Sequence, residues 1–206
     1  MKMSYQLSLL IVGVLLAITT TIGSSYALWT ITAIQEGTNK VTTGCFTLSY
    51  TDTLNNESTS IDLKNAYPIS DENGLKLTPY IISLKNTCSI AAKYNLTLTT
   101  DLQNTLSDFF LKTNFKDITN NTDYGIKLIS ELEEAVLDEN MANEITNTKG
   151  ITIGNVYSLT QGILNPDEEI KFELRIWLDE SATNDTMSSK FTGVVSNTAY
   201  ATESVN

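Results

Sequence analysis

Ile170-Lys171-Phe172-Glu173-Leu174-Arg175-Ile176-Trp177-Leu178 sets five apolar side chains at every second position and puts Lys171, Glu173 and Arg175 between them. A period of two marks a strand with one buried face, the pattern of an antiparallel sheet rather than of a parallel one covered on both sides. Trp177 falls on the polar side of this alternation. Its indole is therefore a candidate exposed platform for a sugar ring, against the plainer reading in which it packs under a loop.

Outward from this strand the same pattern recurs. Tyr80, Ile82 and Leu84 alternate, as do Tyr94, Leu96 and Leu98 beyond the turn Asn86-Thr87-Cys88-Ser89, and the two runs read as a hairpin. Shorter strand candidates are Phe46 to Tyr50, Ile61 to Leu63, Leu75 to Leu77, Gly125 to Ile129, Val156 to Leu159 and Phe191 to Val195. Asp71-Glu72-Asn73-Gly74 and Asn165-Pro166-Asp167-Glu168 supply the strongest turn chemistry between them. A helix is expected from Ser130 to Met141, with Leu132, Ala135 and Val136 on one face and Ser130 capping the first turn opposite Glu133. A second is expected near Leu102, where Leu102, Leu106, Phe109 and Phe110 recur at helical spacing. The sum is an all-β fold, an antiparallel β-sandwich with one or two short helical inserts.

Composition narrows the function. The chain has 206 residues, 41% of them hydrophobic and 18% charged, which suits a folded chain of one domain. Its 13 Lys and Arg against 24 Asp and Glu give a net charge of −11, which repels nucleic acid and anionic membrane surfaces. There is no histidine, so Ser-His-Asp and Cys-His nucleophile systems and histidine zinc sites are excluded.

The N-terminus carries Lys2, an apolar run from Leu9 to Ile18, and the small-x-small sequence Ser25-Tyr26-Ala27. That is the layout of a signal peptide cleaved after Ala27. The apolar run is shorter than the ~20 residues of a spanning helix, but Lys2 stands alone and the stretch to Ala27 is long, so retention as a membrane tether stays open. The expected organisation is a signal peptide over 1–27 and a single sandwich domain over 28–206 whose first residues, 28–40, form an arm. Removing Lys2 with the leader takes the charge from −11 to −12. The two cysteines, Cys45 and Cys88, both lie in the exported part and are candidates for a disulfide, the alternative being two buried free thiols.

Other sites are weak. The acidic runs Asp71-Glu72, Glu131 to Glu134, Asp167 to Glu169 and Asp179-Glu180 lack the spacing of a calcium loop and read as solvated loop ends. A carboxylate pair for glycoside hydrolysis leaves no sequence motif and stays open at low weight. No glycine-rich phosphate loop is present, and no cofactor is implied. The new N-terminus, Leu28-Trp29-Thr30-Ile31-Thr32-Ala33-Ile34, is apolar and β-prone and is set apart by the polar stretch Gln35 to Lys40. Such an arm pairs with its own sheet or adds to the edge of a neighbour's.

The order of segments resembles the TasA/camelysin family of exported Gram-positive proteins. The resemblance lies in Ser25-Tyr26-Ala27-Leu28-Trp29, in the Gly-led strand Thr43 to Ser49, in Ile61-Asp62-Leu63 followed by Tyr67-Pro68, and in the strand Tyr80 to Asn86 with Ser89 to Tyr94 after it. It continues near the end in Leu164 to Glu168, the strand that follows, and Phe191-Thr192-Gly193. The loop after Pro68 lacks the family's usual glycine, and the Cys45/Cys88 pair is not part of its pattern. The resemblance implies a jelly-roll sandwich that forms biofilm-matrix fibres. Camelysins are described as metallopeptidases, but without histidine no H-E-x-x-H is present and no protease activity carries over.

The expected function is that of an exported, non-enzymatic structural protein of the cell surface or extracellular biofilm matrix. It would self-associate into a homopolymer by strand addition of Leu28 to Ile34 and meet cell-wall or matrix components there. No nucleic acid partner is expected, and a membrane is met only through an uncleaved leader. The rival is a monomeric, membrane-tethered surface module that binds a glycan or a protein through an exposed Trp177. A third reading, an enzyme working through carboxylates alone, requires two of them across a cleft.

Overall fold

The alternating strand around Phe172 lies inside a sheet of six. A computed structural model describes residues 30–34, 41–43, 46–51, 60–64, 66–137, 139–183, 186 and 189–201. Among them are twelve strands: β1 (Thr30–Ile34), β2 (Val41–Thr43), β3 (Phe46–Thr51), β4 (Ile61–Lys64), β5 (Tyr80–Asn86), β6 (Ala92–Asp101), β7 (Leu111–Asp117), β8 (Thr122–Leu128), β9 (Glu133–Glu134), β10 (Ile153–Leu164), β11 (Glu169–Leu178) and β12 (Lys190–Ala201). One sheet has the order β1-β12-β6-β10-β9, with β4 also on β12, and the other has the order β2-β3-β5-β11-β7-β8. Every ladder is antiparallel, and the fold is an all-β sandwich.

Ile170, Phe172, Leu174, Ile176 and Leu178 of β11 all face inward, as their spacing requires. Across from them Tyr94, Leu96 and Leu98 of β6 belong to the same core, and Phe115 stacks on Phe172 with ring centroids 5.1 Å apart. Aromatic and branched side chains on two facing pleats fill the layer between the sheets, which is the main source of stability here.

The two runs read as a hairpin are instead split between the sheets. β5 pairs with β3 and β11, whereas β6 pairs with β10 and β12. The connection is an arch tied by Asn86, fully buried, whose Nδ2 donates to Ile90 O (2.9 Å) and Leu164 O (3.0 Å) while its Oδ1 accepts from Cys88 N (2.9 Å). A side-chain amide that satisfies three main-chain groups replaces the ladder bonds a hairpin would have made.

The helices also differ from expectation. The expected helix from Ser130 to Met141 is not formed over 130–137: Ile129–Glu131 is a 3-10 turn, Glu133–Glu134 is β9, and Val136 is exposed. Leu132 is drawn onto the sandwich core, and β9 pairs with Tyr157 and Ser158, so tertiary contacts override the local helical pattern. The true helix, Glu139–Lys149, begins where the expected one ends. It seats Met141 and Ile145, one turn apart, with Ile151 and Val194 in a second small core on the outer face of the β12 sheet. Around Leu102 the chain is a loop with a single 3-10 turn, Asp108–Phe110. Leu106 is buried there, but Leu102 and Phe109 point to solvent. Leu75 to Leu77 is no strand; it follows a four-residue helix, Asp71–Gly74, and both leucines are exposed.

Candidate functional site

The platform residue comes first. Trp177 shares the outer face of β11 with Lys171, Glu173 and Arg175, but only 2% of it is exposed, which overturns the sugar-platform reading. The segment containing Asp71–Gly74 lies over it. A Cβ added to Gly74 would sit 2.8 Å from Trp177 Nε1 and closer still to Cδ2 and Cε2, so a residue without a side chain is what lets this backbone lie flat on the indole. The cover is pinned by Lys112, bonded to Asp71 Oδ1 (2.8 Å) and to Asp179 Oδ2, and by Arg175 Nε donating to Leu77 O (2.8 Å). The two carboxylates raise the Lys112 ammonium to about 12. Burial pushes the Asp179 carboxyl upward, but the hydrogen bonds from Lys112 and Ser181 outweigh it and leave the group below its ordinary value.

Of the arm, Thr30, Ile31, Thr32, Ala33 and Ile34 form the edge strand β1, while Leu28, Trp29 and Ala27, the expected cleavage position, lie outside the described residues. The arm pairs with its own sheet, Thr30 opposite Tyr200 through Ile34 opposite Ser196. β4 takes the other half of the same edge, opposite Lys190 to Gly193. Asn197, the register partner of Ala33, is fully buried and has no hydrogen-bond partner at either Nδ2 or Oδ1. An unmet buried side-chain amide costs about 1–3 kcal/mol, while the main-chain register beside it runs unbroken. Cys88 is disulfide-bonded, and Cys45, the only other cysteine in the sequence, lies outside the described residues.

The cleft that the sequence did not foretell is at one end of the sandwich, where β6 runs out into the loop of residues 102–110. It has a volume of about 460 Å³, in the size range of small-ligand sites. Its wall is the start of β10, irregular in register between Ile153 and Val156. The backbones close tightly there: a Cβ on Gly154 would lie 3.1 Å from Leu102 N and Thr100 O. Thr100 Oγ1 clasps the same bulge, donating to Asn155 O (3.1 Å) and accepting from Asn155 N (3.0 Å).

Asp108 is the central polar group. Its Oδ2 accepts from Tyr157 OH (2.8 Å) and from Asn155 Nδ2 (3.0 Å). Burial first, and the Asp108 carboxylate second, push the Tyr157 phenol well above its ordinary value, so it stays a fixed donor. Asp101 also lines the cleft, but its Oδ1 is engaged by Gln103 N (3.1 Å) and Thr152 N (3.2 Å). Glu134 contributes a third carboxylate from β9. At the rim Leu102 is 67% and Phe109 71% exposed. The available signal was this pair of apolar residues in a run of Asp, Asn, Thr and Ser, taken for a helix face when it was a loop.

A second cleft of about 350 Å³ lies between β8 and β10, bounded by Tyr124 and Phe115 and containing the buried, unpartnered Thr113 Oγ1. Among the described residues no three Cys, Asp or Glu side chains gather as a metal site, and no helix is long and apolar enough to cross a membrane. Fold and sites together define an antiparallel β-sandwich with a strand arm at one sheet edge and a polar cleft at one end. No family model matches the chain, and no curated protein matches it.

Proposed function

We propose that this is an exported, non-enzymatic structural protein of the cell surface or extracellular matrix that assembles by exchanging its N-terminal arm between subunits. The supporting observation is the position of β1. It is a five-residue strand at the outer edge of its sheet, and its slot on β12 accepts the same sequence in the same register from any copy of the chain. Release of the arm from one subunit and its addition to the next leaves every ladder bond intact, which is the low-cost logic of domain swapping. Ladder bonds are worth roughly 1 kcal/mol each, so a five-residue strand at a sheet edge exchanges without unfolding the sandwich. The jelly-roll order and the kinship to biofilm-matrix fibre proteins that the sequence suggests belong to this same reading.

Charge sets the conditions. The exported part carries −12, the −11 of the whole chain less Lys2, and subunits of like charge repel. Added salt, or acid that protonates carboxylates, strengthens assembly. The test is electron microscopy of the 28–206 chain beside one lacking residues 28–34, across salt and pH. Filaments from the longer chain alone support arm exchange; single particles from both, or assembly that weakens steadily with salt, refute it.

A further inference from the structure

We propose that the cleft between the loop of residues 102–110 and the start of β10 binds a saccharide unit that carries no acid group. This goes beyond the assembly reading and holds whether or not subunits join. The argument is one of complementarity. None of the residues lining the cleft is Lys or Arg, while Asp101, Asp108 and Glu134 bring three carboxylates to it, so an anionic sugar, a phosphate or a nucleic acid is repelled. An apolar ligand is equally ill matched, because the floor is built of carboxylate, amide and phenol.

A pyranose ring complements these walls, with one apolar face of C–H groups and a rim of hydroxyl donors. Phe109 and Leu102, both well over half exposed, offer a surface for the apolar face. Asp108 spends only Oδ2 on Tyr157 and Asn155, which holds the carboxylate in one orientation and leaves Oδ1 to accept from a sugar hydroxyl. The bulge clasped by Thr100 fixes Asn155 and Tyr157 before any ligand arrives, so little ordering cost falls on binding. A lysine-bearing peptide is the weaker match. Among the described residues no three carboxylates gather around one point, and Asp101 Oδ1 and Asp108 Oδ2 are already held by protein donors, so the oxygens left do not converge on one charge.

The test is titration of the full-length protein, followed by NMR, with cellotetraose, an N-acetylglucosamine tetrasaccharide, polygalacturonate and a lysine tetrapeptide. Saturable binding of either neutral saccharide, with shifts at Asn155 and Tyr157, is expected. F109A and L102A alter exposed side chains, leave the fold intact, and each weaken that binding by about ten-fold. Absence of neutral-saccharide binding at millimolar concentration overturns the proposal, as does equal affinity in both variants or a response confined to polygalacturonate or the peptide.

Discussion

Gly74 and Trp177 provide the sharpest test of how the outer face of β11 is covered. Replacing Gly74 by Ala adds one carbon 2.8 Å from Trp177 Nε1 and nearer still to two ring carbons, whereas non-bonded carbons settle at about 3.5–4.0 Å. The indole is 2% exposed and has little room to retreat. Overpacking of this kind costs about 1–3 kcal/mol. Against it stands a gain of about 0.5–1 kcal/mol, because Ala has less backbone freedom to lose than Gly. The net expectation for G74A is a loss of about 1–2 kcal/mol, read as a lower urea midpoint at unchanged slope and a melting point lower by about 2–8 °C for a domain of this size. W177A alone costs about 3–5 kcal/mol through the cavity it leaves, with no hydrogen bond lost because Nε1 has no partner. The cycle decides the mechanism: in the W177A background G74A becomes neutral or mildly stabilising, a coupling of about 2 kcal/mol. Equal cost of G74A in both backgrounds would refute the claim that the indole and the glycine are fitted to each other.

Three further outcomes follow from particular contacts. N86A strands the carbonyls of Ile90 and Leu164 at the inter-sheet arch, and calorimetry should show a loss of about 2–4 kcal/mol, whereas a hairpin turn would tolerate the change. Asp179 titrates below its unfolded value of about 3.9, so its contribution is full above that pH and is lost as pH falls through the lower folded value. Lys112, raised to about 12, contributes fully below its unfolded value of about 10.4 and loses its share as pH rises through the folded one. K112M therefore shallows the stability profile at both extremes, and an unchanged acid limb in thermal melts would contradict the assignment. Reduction of the disulfide at Cys88, for which Cys45 is the one other cysteine of the sequence, should lower stability by roughly 4 kcal/mol, checked by denaturation with and without reductant.

Strands were the legible part of this chain. Ile170 to Leu178, Tyr80 to Leu84 and Tyr94 to Leu98 each carry the signal in their own side chains, because the pleat alternates faces residue by residue whatever lies across from it. The length of β12 is only half legible: Phe191 to Val195 carries the apolar pattern, whereas Ser196, Asn197 and Thr198 are polar in sequence and yet buried strand. Helix Glu139–Lys149 escaped because only Met141 and Ile145 mark its inner face, while Leu132 and Val136 lent a false period to the segment before it. Neither cleft had a motif, since Asp108 meets Tyr157 and Asn155 across nearly fifty residues.

By itself, then, the sequence determined that the chain is a sandwich of half-buried antiparallel strands, that it is acidic, and that histidine chemistry is closed to it. Tertiary structure decided which sheet each strand joins, that Trp177 is roofed rather than exposed, and that the arm's described residues lie along β12. The division has one physical cause. Side-chain alternation is a local property of the strand, whereas sheet membership, roofing and clefts are set by contacts such as Thr30 with Tyr200 or Gly74 with Trp177, between residues that no local pattern connects.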